Sequence, residues 1–503
     1  MMLNQLSGPT SLAGCVGILV VLYGLTKAIY NVYFHPLRRF PGPKLWAASG
    51  IPSALNLMGG KPHRNVLEMH KKYGDVVRIG PSELAFAHAG AWRDIFGHLK
   101  AGMPEMGKEP KYTNEEMDRS LIAASRDRHS RMRRVMSNAF SAQAMTMQQP
   151  LINRYIDLLI KRLREHSKEG SNPLDLVKWY DWTIFDIIGD LSFGEPFGCL
   201  ENSKPHPWVD MLFDSLRLIP IGQAMAEFPL FSTLGPIIMA FATPKSVRES
   251  RLRARDFVQQ ALDKRLNLKS TRPDFVASMI SKVDNQTMSR RELEDNSLVL
   301  TTAGSETTAT TLAGVTYLLC RHPDVLAKLK AEILHNFQSE SEINIQTVQN
   351  LTYMLAVLKE TMRIYPPVAI SLPRRTPSGG SRIGGAYVAE GTTVGIWQYA
   401  AYHSPSNFSQ PDDFIPERWL GDQRFVDDHK DVFQPFSHGP RNCIGMNLAY
   451  TEMRLILARM VWNFDMALAT DSLNWQKEQS VFFFWKKPPL NVLLKPAKNS
   501  QSG

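Results

Sequence analysis

From Ser289 to Pro323 the chain runs without a proline, and Ser289 followed by Glu292 has the spacing of a capping box, where each side chain takes up a backbone N–H at a helix start. The stretch predicts one helix of about 30 residues, about 45 Å long at 1.5 Å per residue. A rod of that length crosses a whole domain, so the rest of the chain has to be arranged around it. Its middle, "AGSETTATT" (303–311), sets small and hydroxyl residues around a lone Glu306 in an otherwise apolar stretch. An unpaired buried carboxylate is expensive, so Glu306 is either solvated in a cavity or present for chemistry.

Helical periodicity dominates elsewhere too, as in Leu351, Met354, Leu355, Leu358 and Met362, which recur at three- and four-residue steps. Short β-branched runs, "DVVRIG" (75–80) and "GTTVGIW" (391–397), read as strands. The expected fold class is mainly α with small β-sheets. With 503 residues, 44% of them hydrophobic and 21% charged, and with no linker, repeat or low-complexity tract, one large domain with a sizeable core follows.

From Leu12 to Leu25 the chain is nearly all apolar, and after Lys27 it continues through Ala28, Ile29, Tyr30, Val32, Tyr33 and Phe34, long enough for a helix to span a bilayer. No basic residue precedes the run and no small-x-small site follows it, which favours an anchor over a cleaved signal peptide. Lys27, Arg38, Arg39 and Lys44 lie on its C-terminal side, which places the large domain in the cytosol. The expected organisation is a short segment 1–11, a transmembrane anchor 12–34, a Pro-rich hinge 35–45, the large domain 46–495 and a flexible tail 496–503. Four cysteines, Cys15, Cys199, Cys320 and Cys443, lie far apart without C-x-x-C spacing, which fits a reducing compartment. The net charge of +10 alone does not choose between nucleic acid, membrane and acidic protein, but no nucleic-acid recognition motif accompanies it.

Cys443 stands apart by its setting. "CIGMNLAYTEMRLILARM" has the period of an amphipathic helix, which puts the thiol at a helix N-terminus, where thiolate is favoured. Before it Gly439 and Pro440 enforce a turn and Arg441 offers a cation. Such a setting serves a nucleophile or a metal ligand, and the nucleophile would ask for a base such as His438 within reach.

"FSHGPRNCIG" (436–445) resembles the haem-binding signature F-x-x-G-x-R-x-C-x-G of the cytochrome P-450 family at all five fixed positions. "AGSETT" (303–308) resembles the family's oxygen-activation motif, "ETMR" (360–363) its E-x-x-R, and "PERW" (416–419) the arginine-bearing partner, in the family's order. Within the family the likeness is to fungal secondary-metabolism members of the isotrichodermin hydroxylase type.

The resemblance implies the cytochrome P-450 fold and haem b, with Cys443 as axial iron ligand, whose thiolate favours O–O cleavage. Phe436 would shield the sulfur, and Gly439 and Gly445 would let backbone approach the ring. His129, Arg133, Arg374 and Arg441 would hold the haem propionates, while Arg126, Arg131 and Arg134 would face an acidic redox partner. Glu306 and Thr307 would be the catalytic acid–alcohol pair that brings in protons, the threonine bonding a helix carbonyl and holding the helix open locally. Glu360, Arg363 and Arg418 would form a structural charge network. An apolar pocket would draw on Leu298, Thr302, Ala303, Val368, Ile370, Phe482 and Phe483 and on segments 103–122 and 212–240.

The function so implied is a monooxygenase, single-pass in the endoplasmic reticulum membrane. It would hydroxylate or epoxidise an apolar secondary metabolite with O2 and electrons from an NADPH-cytochrome P-450 reductase, with cytochrome b5 as an optional second donor. The alternatives are a haem-thiolate isomerase or dehydratase, against which Glu306 and Thr307 argue, and a non-catalytic haem sensor, which needs no proton-delivering pair.

Overall fold

The computed structural model describes residues 9–98, 104–110, 117–209, 211, 219–227, 245–268, 272–280 and 288–497. The proline-free stretch is a single unbroken helix, Arg290–Arg321. Its capping box is formed: Ser289 Oγ accepts the Glu292 N–H, and Glu292 Oε2 accepts the Ser289 N–H at 2.9 Å. From Thr308 to Leu319 every residue is buried, as expected of a rod running through a core.

Around it pack the helices Leu176–Phe193, Thr352–Ile364 and Met446–Asn463. Close approach is bought with small residues. A Cβ on Gly314 would fall 2.4 Å from the Tyr365 ring, so only glycine lets the helix lie against that aromatic. The two expected strands are present as Val76–Gly80 and Thr393–Ile396. They share a five-stranded sheet in the order Val76–Gly80, Glu83–Phe86, Thr393–Ile396, Arg374–Arg375, Gly107–Lys108. The last pairing, antiparallel, sets Lys108 opposite Arg374. A second sheet places Asn491–Pro496 between Leu174–Asp175 and Phe464–Leu468.

The apolar N-terminal run is the helix Pro9–Tyr33, and Ile18, Leu19, Val20, Val21, Leu22, Leu25 and Ile29 stand exposed along it. Among the described residues no helix is long and apolar enough to cross a membrane. Residues 1–8, and the side chains of 9–13 and 16, lie outside the described residues, so part of the expected anchor does as well. The helix is tied to the domain where it ends: buried Asn31 donates to the Ala48 carbonyl at 2.9 Å. The expected hinge contains one 3-10 turn, Pro36–Arg39. At the other end Pro496 is still paired with Phe464, and Ala497 is buried with its N–H on the Asn463 carbonyl. Residues 498–503 of the expected tail, and 103, 111–116, 212–218 and 228–240 of the expected pocket segments, lie outside the described residues.

Candidate active site

The loop before Cys443 is closed by its own backbone: the Cys443 N–H donates to the Phe436 carbonyl at 2.8 Å, and the Ser437 N–H to the Gln434 carbonyl at 2.9 Å. Ser437 (φ 62°) and Gly439 (φ 74°) take left-handed backbone to make the bend. Gly439 is required by the packing of the loop itself. A Cβ there would lie 1.9 Å from the Phe96 carbonyl oxygen, so the glycine seats the loop on the neighbouring chain. The helix Met446–Asn463 begins after Gly445, two residues beyond the thiol.

Cys443 lies deep in the fold yet is uncovered on one side. Burial pushes its pKa up, while the Gly445 N–H and the Arg133 guanidinium pull it down. Those two are the groups that would stabilise a thiolate. A Cβ on Gly445 would stand 3.9 Å from Sγ, an ordinary contact, so the sulfur itself does not demand glycine there. Phe436 packs against Tyr450, ring centroids 5.1 Å apart.

Four cations gather near this loop. Arg133 donates to the Asn442 carbonyl at 2.6 Å and to Asn442 Oδ1 at 2.5 Å. Arg441 donates to Glu105 and to the Ala124 carbonyl, both at 2.8 Å. Arg374 is buried over the Phe96 ring, and burial followed by repulsion from Arg441 lowers its pKa to about 10. Lys108 is also drawn well below its usual value, by burial and then by Arg374 and Arg441, with Glu105 pulling the other way. Burial, then the same cations, holds the His129 imidazole neutral, its pKa lowered to about 3. Like charges crowd one another here, with Glu105 the carboxylate set against them. A further anion with more than one negative charge would relieve that repulsion. A group bearing two carboxylates, as haem does, fits this surplus.

Lys108 was not legible as a member: only the sheet register, across 266 positions of sequence, brings it beside Arg374. Arg131, expected to face a redox partner, is paired with Glu292 of the capping box. Arg126 and Arg134 are exposed.

On the central helix Glu306 is buried and not alone. Lys487 Nζ donates to Glu306 Oε1 and to Thr310 Oγ1, both at 2.7 Å, and Thr310 Oγ1 donates to the same carboxylate oxygen at 3.2 Å. Thr307 turns elsewhere, its hydroxyl donating to the Ala303 carbonyl at 2.8 Å as expected, but the helix stays regular through it and is not held open. Leu298, Thr302, Ala303 and Thr307 are half-buried, in a helix whose other residues are mostly covered. Val368, Phe482 and Phe483 are half-buried too, whereas Ile370 is packed into the core.

Glu360 and Arg363 are joined by two bonds of 2.8 and 2.9 Å, and neither side chain has any exposure. Arg418 approaches Glu360 at 3.4 Å, and Trp419 Nε1 donates to Glu360 at 2.8 Å. Arg418 is also paired with Asp428, the member that sequence reasoning missed. With it the network balances, two arginines against two carboxylates.

Three comparisons place these features. The family model for cytochrome P-450 matches residues 40–494. The trichothecene C-15 hydroxylase of Fusarium sporotrichioides is 44% identical over 497 residues, which cover 98% of this chain and 98% of that protein. The averantin hydroxylase of Dothistroma septosporum is 44% identical over 490 residues, 96% of this chain and 91% of that protein.

Proposed function

The chain belongs to the cytochrome P-450 family, and on that footing we propose that it is a membrane-anchored monooxygenase that hydroxylates or epoxidises an apolar secondary metabolite. Family membership makes it a monooxygenase that binds haem b through a cysteine thiolate. The observation that carries the reading is the uncovered Cys443 thiol, flanked by the Gly445 N–H and Arg133, beside a surplus of cations around Glu105. Arg133, Arg374, Arg441 and Lys108 would hold the haem carboxylates, with neutral His129 donating among them.

When bound, haem supplies the activation of O2. The residues around it have other work. The Gly445 N–H and Arg133 favour the charged form of the Cys443 sulfur against the burial that opposes it, and Phe436, packed on Tyr450, would shield it. Insertion of one oxygen into a C–H bond consumes two electrons and two protons and leaves one water. The protons are the business of Glu306 and Thr307, which hold them at a carboxylate and a hydroxyl. The half-buried Leu298, Thr302 and Ala303, with Val368, Phe482 and Phe483, would take the substrate. The relatives named as hydroxylases of a trichothecene and of averantin support hydroxylation of a secondary metabolite.

Electrons would come from an NADPH-dependent reductase meeting exposed Arg126 and Arg134, or Lys359 and Lys430 at the cavity of about 380 Å³ that Phe436 and Asn442 also line. The helix Pro9–Tyr33 with its exposed apolar side chains supports a single-pass anchor in the endoplasmic reticulum over 12–34. The test is the spectrum of the reduced, carbon-monoxide-bound protein. A strongly red-shifted Soret band that is lost in Cys443→Ser is expected, and its absence from the wild type would overturn the reading. Screening apolar metabolites for a spin-state shift then identifies the substrate.

A further inference from the structure

The partner of Glu306 poses a question that its family role leaves open. Lys487 sits between the strands Trp485–Lys486 and Asn491–Pro496, and only 5% of its side chain is exposed. On its far side, 4.0 Å from Nζ, stands Asp181 of the helix Leu176–Phe193. Asp181 is the member of the trio nearest to water, with 24% of its side chain exposed, while its Oδ1 is buried and has no hydrogen-bond partner among the described residues. One ammonium thus serves two carboxylates, one partly exposed on the helix Leu176–Phe193 and one buried in the middle of the central helix.

Burying a net charge is costly, and this trio is neutral only when a single proton is shared by its two carboxyls. That proton has two homes, Asp181 or Glu306. The surroundings lean toward the first: burial raises the Asp181 pKa to about 7, Glu306 and Asp175 add to the rise, and Lys487 opposes it. Among the described residues, the other groups facing the trio do not supply a second cation to the inner site. Asp175 accepts the Val177 and Leu490 N–H groups and lies 3.3 Å from exposed Lys178, and the Tyr365 phenol donates to Gln479 at 2.5 Å.

We propose that Asp181, Lys487 and Glu306 form a proton relay that refills Glu306 from the Asp181 side of the protein, with Lys487 as the positioning residue that holds Glu306 between turnovers. The proposal rests on the monooxygenase reading, whose reaction consumes the protons. In the transfer an Nζ–H bond of Lys487 breaks as its proton passes to Glu306 Oε1. Nζ then takes the proton of Asp181, which must come about 1 Å closer for a hydrogen bond. Lys487 ends as it began, an ammonium; Asp181 ends as a carboxylate and recovers a proton from water. No electrons move.

Two measurements on the full-length holoenzyme test this. The first is an infrared pH titration of the protonated-carboxyl band in the oxidised protein, without substrate or turnover. The wild type is expected to show a band that fades around pH 7. Asp181→Asn should remove it, Glu306→Gln should shift its fading to lower pH by removing a like charge, and Lys487→Met should shift it to higher pH. The second is substrate-free NADPH consumption with NADPH-cytochrome P-450 reductase in H2O and D2O. Lys487→Met is expected to slow it at least about tenfold and enlarge the solvent isotope effect, with Lys487→Arg restoring it to within about twofold.

A band near pH 7 that survives in Asp181→Asn overturns the relay, and so does Lys487→Met turnover within about twofold of wild type. Should Lys487→Met fail to hold haem, the shape-conserving Asp181→Asn carries both measurements: loss of the band near pH 7 with NADPH consumption slowed at least about tenfold is expected, and a rate within about twofold of wild type overturns the relay. The infrared arm needs no oxygenation, so failure of the red-shifted carbon-monoxide band would count against the monooxygenase reading and not against the relay.

Discussion

Removal of Arg418 should expose how the buried charge network is balanced. Its side chain has no exposure, and besides lying over the Phe425 ring it reaches three oxygen acceptors: Nε to Glu360 at 3.4 Å, Nη1 to Asp428, and Nη2 to the Gln410 carbonyl at 3.2 Å. In Arg418→Met, Glu360 keeps Arg363, Trp419 and the Ile415 N–H. Asp428 keeps only the Ser409 N–H at 2.7 Å among its described partners, and becomes the uncompensated charge. Breaking a buried pair from one side costs about 3–5 kcal/mol, and Asp428→Asn, which strands Arg418 instead, should cost the same. Independent sites would then lose about 6–10 kcal/mol together. The double variant Arg418→Met/Asp428→Asn removes both charges and leaves Glu360 and Arg363 balanced, so its expected loss is close to that of one single variant, a coupling of about 3 kcal/mol. Urea titration of the haem-loaded protein, followed by tryptophan fluorescence and haem absorbance together, measures all four corners. Additivity to within about 0.5 kcal/mol would refute the balanced-network argument.

Lys108→Met should release haem about tenfold faster than wild type to an apo-globin acceptor, with Lys108→Arg close to wild type; equal rates for Met and wild type would remove Lys108 from the site. Glu452 is fully buried beside the Thr308 hydroxyl, and burial holds its carboxyl well above its usual value. The folded protein therefore keeps a proton that the unfolded chain gives up above about pH 4.5, so this residue lowers stability as pH rises from there toward the folded pKa. Glu452→Gln should flatten that fall and be at least as stable as wild type at pH 8 in urea titrations, and an unchanged slope would contradict it. Deleting residues 1–34 should move the protein from the carbonate-resistant membrane fraction to the soluble one, and unchanged fractionation would count against the anchor.

What could be read in the sequence was what is local. The Ser289–Glu292 capping box and the absence of proline act over one turn and one helix, and both are seen as expected. The bend before Cys443 is likewise written in adjacent residues, although the contact of Gly439 with the Phe96 carbonyl is not. Lys487, Lys108 and Asp428 escaped notice because each reaches its place through tertiary pairing. Lys487 meets Glu306 across 181 residues, and no periodicity extends that far. Arg131 shows the converse: its position in an arginine-rich helix suggested a docking surface, and a carboxylate 161 residues away claims it.

The sheet that holds Asn491–Pro496 sets an order in time. Its middle strand is made long after its outer neighbour Leu174–Asp175, and the Leu490 N–H closes on Asp175 across 315 residues. At about 5–20 residues per second, translation from Glu306 to Lys487 takes about 10–40 s. Throughout that interval the nascent helix carries its acid without the lysine that neutralises it, and the Leu174–Asp175 edge has no strand to cover it. Folding of the catalytic core therefore has to stay reversible until the last tenth of the sequence has been translated, which makes this a chain whose assembly a late pause can stall and an early compaction can spoil.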